Sequence, residues 1–106
     1  ILDGLSREAA EFEASAVLAF SRPPYELSSD HELPRQLVEA MQSLGRGPAA
    51  VGMSFWTDAA VLGAAGIPTV LFGPGGAGLH SREEYVTTDD VVTCRDALSR
   101  LALSWC

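Results

Sequence analysis

SFWTDAAVLGAAGIPTVLFGPGGAGLHSREEYV, residues 54–86, decides how this chain is read. An alanine-rich helix opened by Thr57 or Asp58 and ended by Gly66 is followed by IPTVLF, residues 67–72, apolar almost throughout. Such an unbroken run predicts a strand covered on both faces, as in layered α/β proteins. Behind it come the glycine run from Gly73 to Gly78 and a lone His80 ahead of Glu83 and Glu84. Glycines let a backbone approach a ligand closely and turn its amides toward it. The plainer reading is a tight turn joining two strands.

Upstream, AAVGM at residues 49–53 predicts a short strand. Leu33, Leu37, Met41 and Leu44 recur at helical spacing after Asp30, a ready cap, and before Gly45, a ready helix stop. From Phe12 to Ser21 apolar and polar residues alternate with the period of a strand that has one covered face. Arg22, Pro23 and Pro24 end it, and residues 23–30, PPYELSSD, have the punctuation of a linker. Asp3 to Glu11 resembles a frayed helix end. Downstream, Tyr85 and Val86 predict a brief strand, and Asp89 or Asp90 opens a final helix with an apolar stripe of Val91, Cys94, Leu98, Leu101 and Trp105.

At 106 residues the chain suits one small domain with a marginal core. Fourteen acidic residues face seven arginines and no lysine, for a formal charge of -7. That balance argues against nucleic acid and anionic membranes, which bind through dense cationic contacts. No apolar run nears the length of a membrane span and the start lacks a basic leader, so the expectation is a cytoplasmic protein. Cys94 and Cys106 have no metal or redox spacing; they read as a buried thiol and a tail residue.

The glycine run is neither a dinucleotide fingerprint nor a phosphate loop, because no GK followed by Ser or Thr is present. A phosphorylated ligand would find little beyond Arg82 to neutralise it. His80 can ligate a metal or act as a base, with Glu83 or Glu84 orienting its second nitrogen, or it can simply be a surface histidine. His31, between Asp30 and Glu32 at a helix start, reads as structural. Asp58 is a helix cap or supports a site from behind. Ser54 lies in no nucleophile elbow.

Residues 52–86, with TDA at Thr57 to Ala59, GIP at Gly66 to Pro68, GPG at Gly73 to Gly75, and His80 followed by EYV at Glu84 to Val86, closely resemble a known group. They are similar to the C-terminal part of the co-catalytic metallopeptidase superfamily that includes acetylornithine deacetylase, succinyl-diaminopimelate desuccinylase, aminoacylase and glutamate carboxypeptidase. RPPYE at Arg22 to Glu26 resembles the exit from that group's smaller lid domain. The resemblance implies an α/β fold: a C-terminal fragment of a layered α/β/α zinc-hydrolase catalytic domain over residues 25–106, preceded over residues 1–24 by the last helix and strand of the inserted lid (dimerisation) domain.

By the same resemblance, the intact enzyme carries two zinc ions, with cobalt or manganese as substitutes, and hydrolyses an N-acyl amino acid or small peptide-like amide with a metal-activated water. His80 corresponds to the group's final histidine ligand. Gly75 and Gly76 are implied as backbone donors to the substrate and Asp58 as a support behind the site. From residue type, Glu84 can support His80, and Arg22 either meets a substrate carboxylate when the lid closes or is a solvated cap on a packed stem. The HxD motif and the EE pair that carries the base are missing, since His31 and His80 are the two histidines of the sequence and neither begins such a motif. This chain by itself is therefore expected to be catalytically inactive, and the intact enzyme to be a homodimer. The lone strand before Arg22 leaves an open edge that favours self-association of the chain. The other expectation is a self-contained, non-catalytic binding or interaction module.

Overall fold

In the computed structural model, residues 15–105 are described. They form a small mixed α/β unit with helices α1 (Glu32–Gln42), α2 (Ala59–Ala64) and α3 (Thr88–Trp105), and strands β1 (Gly76–Ala77) and β2 (Tyr85–Val86). The expected helix end over Asp3 to Glu11, the first part of the alternating stretch and the Cys106 tail lie outside the described residues.

Helix α1 starts on His31 rather than Asp30: the His31 Nδ1 accepts the Leu33 amide at 3.1 Å. The amide of Asp30 instead donates to the Ser28 hydroxyl at 3.2 Å. Pro34 falls in the first turn, where its missing N–H has no intrahelical partner to lose. Gly45 closes the helix at φ 74°, the left-handed conformation that glycine adopts without a Cβ penalty.

The core lies between α1 and α3, which pack against each other. Its buried members are Leu37 and Ala40 on α1 and Ala97 on α3, with Ala59 and Ala60 of α2 forming a second buried spot. Alanines let the two helix backbones approach closely. Ala97, fully buried, draws the inward face of α3 onto Cys94, Ala97 and Leu101. The expected stripe is thus rotated, and Val91, Leu98 and Trp105 stay about half exposed. Polar ties fix the antiparallel sense: Ser104 donates to the Gln36 side chain at 3.3 Å, Arg100 to the Ser43 hydroxyl at 2.6 Å, and Arg46 pairs with Asp90 at 3.4 Å.

Three strand expectations are corrected. Residues 15–21, 49–53 and 67–72 run without strand pairing, and the described sheet consists of β1 and β2. A strand exists through the ladder a neighbour provides. Among the described residues nothing pairs these segments, so Val17, Val51, Met53, Ile67 and Leu71 are exposed. The radius of gyration, 19.6 Å, exceeds the roughly 13 Å of a compact domain of this length.

Residues 23–30 do more than link. Tyr25 lays its ring against Gly63 of α2, and its hydroxyl accepts the Thr69 amide at 3.0 Å. That bond holds the apolar segment 67–72 beside α2. Gly66, at φ 79°, ends α2 as expected.

Candidate functional site

The glycine run does not stay a loop: Gly76 and Ala77 form β1 and pair antiparallel with Val86 and Tyr85 of β2. The Thr87 amide extends the pairing to the Gly75 carbonyl at 3.1 Å. Gly76 is required by contact, since a methyl there would fall on the Tyr85 carbonyl and the Val86 backbone. Gly75 faces a side chain instead, with Asp90 Oδ2 2.8 Å from where a Cβ would stand.

Residues 78–84 connect the strands and carry His80. Gly78 is left-handed at φ 76°, and its carbonyl accepts the Ser81 amide at 2.7 Å. His80 is left-handed as well, at φ 62°, the one non-glycine in that conformation among the described residues. Such a backbone costs an ordinary L-residue about 1–2 kcal/mol. The Glu84 carboxylate accepts the His80 backbone amide at 3.1 Å. The bond found for Glu84 therefore runs to the main chain of His80, whereas the sequence suggests a bond to its ring. The imidazole itself is exposed.

The structure places the remaining candidates, Arg22 and Asp58, away from the hairpin. Arg22 lies at an apolar groove of about 690 Å³, lined by Tyr25, Leu37, Met41, Phe55, Trp56 and Leu71 among others. Its guanidinium stacks 3.9 Å from the Trp56 ring centre and 5.0 Å from that of Phe20. Stacking engages the guanidinium face and leaves its edge donors available to a carboxylate. Asp58 is the residue before α2, next to groove-lining Thr57, and its side chain makes no capping bond. One hairpin thus unites Gly75, Gly76, His80 and Glu84, while Arg22 and Asp58 belong to the groove side.

Sequence reasoning passed over a cleft of about 310 Å³ behind Gly75, lined by Arg46, Pro74, Asp90, Thr93 and Cys94. Arg46 bridges Asp90 and the Thr93 hydroxyl, each at 3.4 Å. Burial, and then the Asp90 carboxylate one helical turn away, push the Cys94 thiol above its ordinary pKa. The Asp90/Cys94 spacing, one turn apart on a helix, was the available signal.

Among the described residues no three His, Cys, Asp or Glu side chains gather where they could hold a metal ion. A zinc site ordinarily takes three or four protein ligands. The described residues therefore do not form a metal centre by themselves; His80 fits as a single exposed imidazole donor.

The glycine hairpin presents one exposed histidine, and comparison with known proteins identifies the family to which the chain belongs. The chain matches Peptidase family M20/M25/M40 over residues 9–104 and belongs to that family. It is 33% identical over 103 residues to an acetylornithine deacetylase of Myxococcus xanthus, an alignment covering 96% of this chain and 26% of that protein. It is 31% identical over 86 residues to the uncharacterized protein YgeY of Escherichia coli, covering 78% of this chain and 21% of the relative. A peptidase T-like protein of Rhizobium meliloti is 42% identical over 60 residues, 57% of this chain and 15% of that protein. The chain thus spans about a quarter or less of the length of these curated relatives. No solved structure matches it significantly. No described helix is long and apolar enough to cross a membrane.

Proposed function

We propose that the full-length protein is a metal-dependent amidohydrolase that releases the acyl group of an N-acyl amino acid or cleaves a small peptide-like amide. The observation that carries this reading is the family match over residues 9–104 together with the hairpin that holds His80 outward. His80 would be one ligand of a centre of two zinc ions, or of cobalt or manganese, completed by donors from outside the described residues. Gly75 and Gly76 would line the cleft with backbone amides. Arg22 would meet the substrate's carboxylate with its in-plane N–H groups, its faces being held by Trp56 and Phe20. Asp58, with no capping bond to make, would support the site from behind.

In this reading residues 1–24 close a lid (dimerisation) domain, residues 25–106 belong to the catalytic domain, and the whole enzyme is a homodimer. The apolar segments 49–53 and 67–72 fit strands that a larger sheet would pair.

The test is metal analysis and hydrolysis of a panel of N-acyl amino acids by the full-length protein and its His80→Ala variant, with zinc or cobalt supplied. Two metals and turnover in the parent, both diminished in the variant, support the reading. A parent with neither overturns it and makes a non-catalytic binding module the leading account.

A further inference from the structure

We infer that Glu84 is a positioning residue that presents His80 through its backbone. This deepens the proposed hydrolase reading and rests on His80 being a metal ligand there.

The geometry carries the argument. His80 stands at φ 62° in an exposed connection, a conformation that its own side chain disfavours. A left-handed residue without support would relax toward the ordinary region and swing its Cα–Cβ bond, and with it the imidazole. Two contacts oppose this. The carbonyl of left-handed Gly78 takes the Ser81 amide at 2.7 Å, fixing the turn on either side of His80. Glu84 Oε2 takes the His80 amide at 3.1 Å.

The stem of Glu84 is itself anchored. The next residue, Tyr85, is paired with Ala77, so the carboxylate is held by the β1–β2 ladder and passes that rigidity to the ligand residue. A metal ligand must sit within about 0.5 Å of its productive position to contribute fully, so a contact that fixes the backbone acts on affinity without touching the ion. Glu83 offers no such bond: its amide donates to the Ser81 hydroxyl at 3.2 Å, and its carboxylate has no described partner.

The experiment is titration of the metal-free full-length protein with Co²⁺, followed through the visible d–d bands that report coordination, for the parent, Glu84→Ala, Glu84→Gln, Glu83→Ala and His80→Ala. Removing a group that orients a ligand typically costs 10–100-fold in metal affinity, and about that loss is expected for Glu84→Ala in the ion that His80→Ala affects. Glu84→Gln keeps a carbonyl oxygen that accepts the amide and restores most of the affinity and the parent's spectrum. Glu83→Ala behaves as the parent.

Glu84→Ala binding Co²⁺ as the parent does, or Glu84→Gln failing as badly as Glu84→Ala, overturns the positioning role alone; the second result would make the carboxylate a ligand. A parent that takes up no Co²⁺, or a His80→Ala variant that binds as the parent, overturns the hydrolase reading beneath it and this inference too.

Discussion

Two adjacent glycines should respond very differently to the same methyl group. At Gly76 a Cβ would strike the Tyr85 carbonyl oxygen and lie 2.9 Å from the Val86 Cα. These are backbone atoms of the paired strand and cannot rotate away, so β1 and β2 must part. Overfilling of this kind costs about 1–3 kcal/mol. Each ladder hydrogen bond lost adds about 0.5–1.5 kcal/mol. At Gly75 the obstacle is the Asp90 carboxylate, the mobile end of a side chain. Turning it aside sacrifices a pair with Arg46 whose members are 47% and 32% exposed, a contact of about 0.2–1 kcal/mol.

The gain from restricting the unfolded chain is the same for both Gly→Ala changes and cancels in the comparison. Because the hairpin can open without the α1–α3 pair, local amide hydrogen exchange is the proper assay. A cost of about 2–3 kcal/mol at Gly76→Ala should speed exchange of the Thr87 amide roughly thirtyfold or more, since each 1.4 kcal/mol is tenfold. Gly75→Ala should speed it less than about fivefold. Amides of α1 should be unchanged in both. Equal effects of the two variants on Thr87 would refute the strand contact at Gly76.

Ala97→Leu, at a fully buried point between α1 and α3, should lower stability by about 1–3 kcal/mol in urea unfolding, while Leu98→Ala, half exposed, should cost well under half as much. Tyr25→Phe removes the acceptor of the Thr69 amide and should cost about 0.5–1.5 kcal/mol, with faster exchange at Thr69 as the local sign. Alkylation of Cys94, followed by peptide mass, should have its pH midpoint above that of an unfolded thiol, and Asp90→Asn should lower the midpoint without restoring it, because burial is the larger cause. The folded form holds this proton more tightly than the unfolded one. The associated stabilisation is therefore complete below the unfolded pKa and is lost as pH rises through the higher folded value.

What the sequence made legible were features that one segment settles alone. The α1 stripe, the stops at Gly45 and Gly66, and the strand at Tyr85 and Val86 all rest on local periodicity or backbone freedom. The cap of α1 escaped by one position because Asp30 has the better side chain for capping, yet the imidazole of His31 stands at the right distance. The strands expected over 12–21, 49–53 and 67–72 were read from patterns that record which faces want cover. Pairing also needs a neighbour, which no segment can encode by itself. In the same way His80 was visible by residue type, while its left-handed backbone and the carboxylate that holds it depend on the closed hairpin. The stack of Arg22 on Trp56 joins residues far apart in sequence, and no spacing rule reaches it.

The antiparallel seating of α1 on α3 also dictates an order of events during synthesis. After Gln42 is added, the ribosome must make some sixty residues more before α3 is complete, roughly 3–12 s at ordinary elongation rates. Throughout that interval Leu37 and Ala40 have no lid, and the apolar segments 49–53 and 67–72 emerge into the same exposed state. For the α1 face this exposure ends only when the last helix arrives, whereas Val51, Met53, Ile67 and Leu71 stay uncovered even then and leave the finished unit with the same apolar segments its nascent form displays.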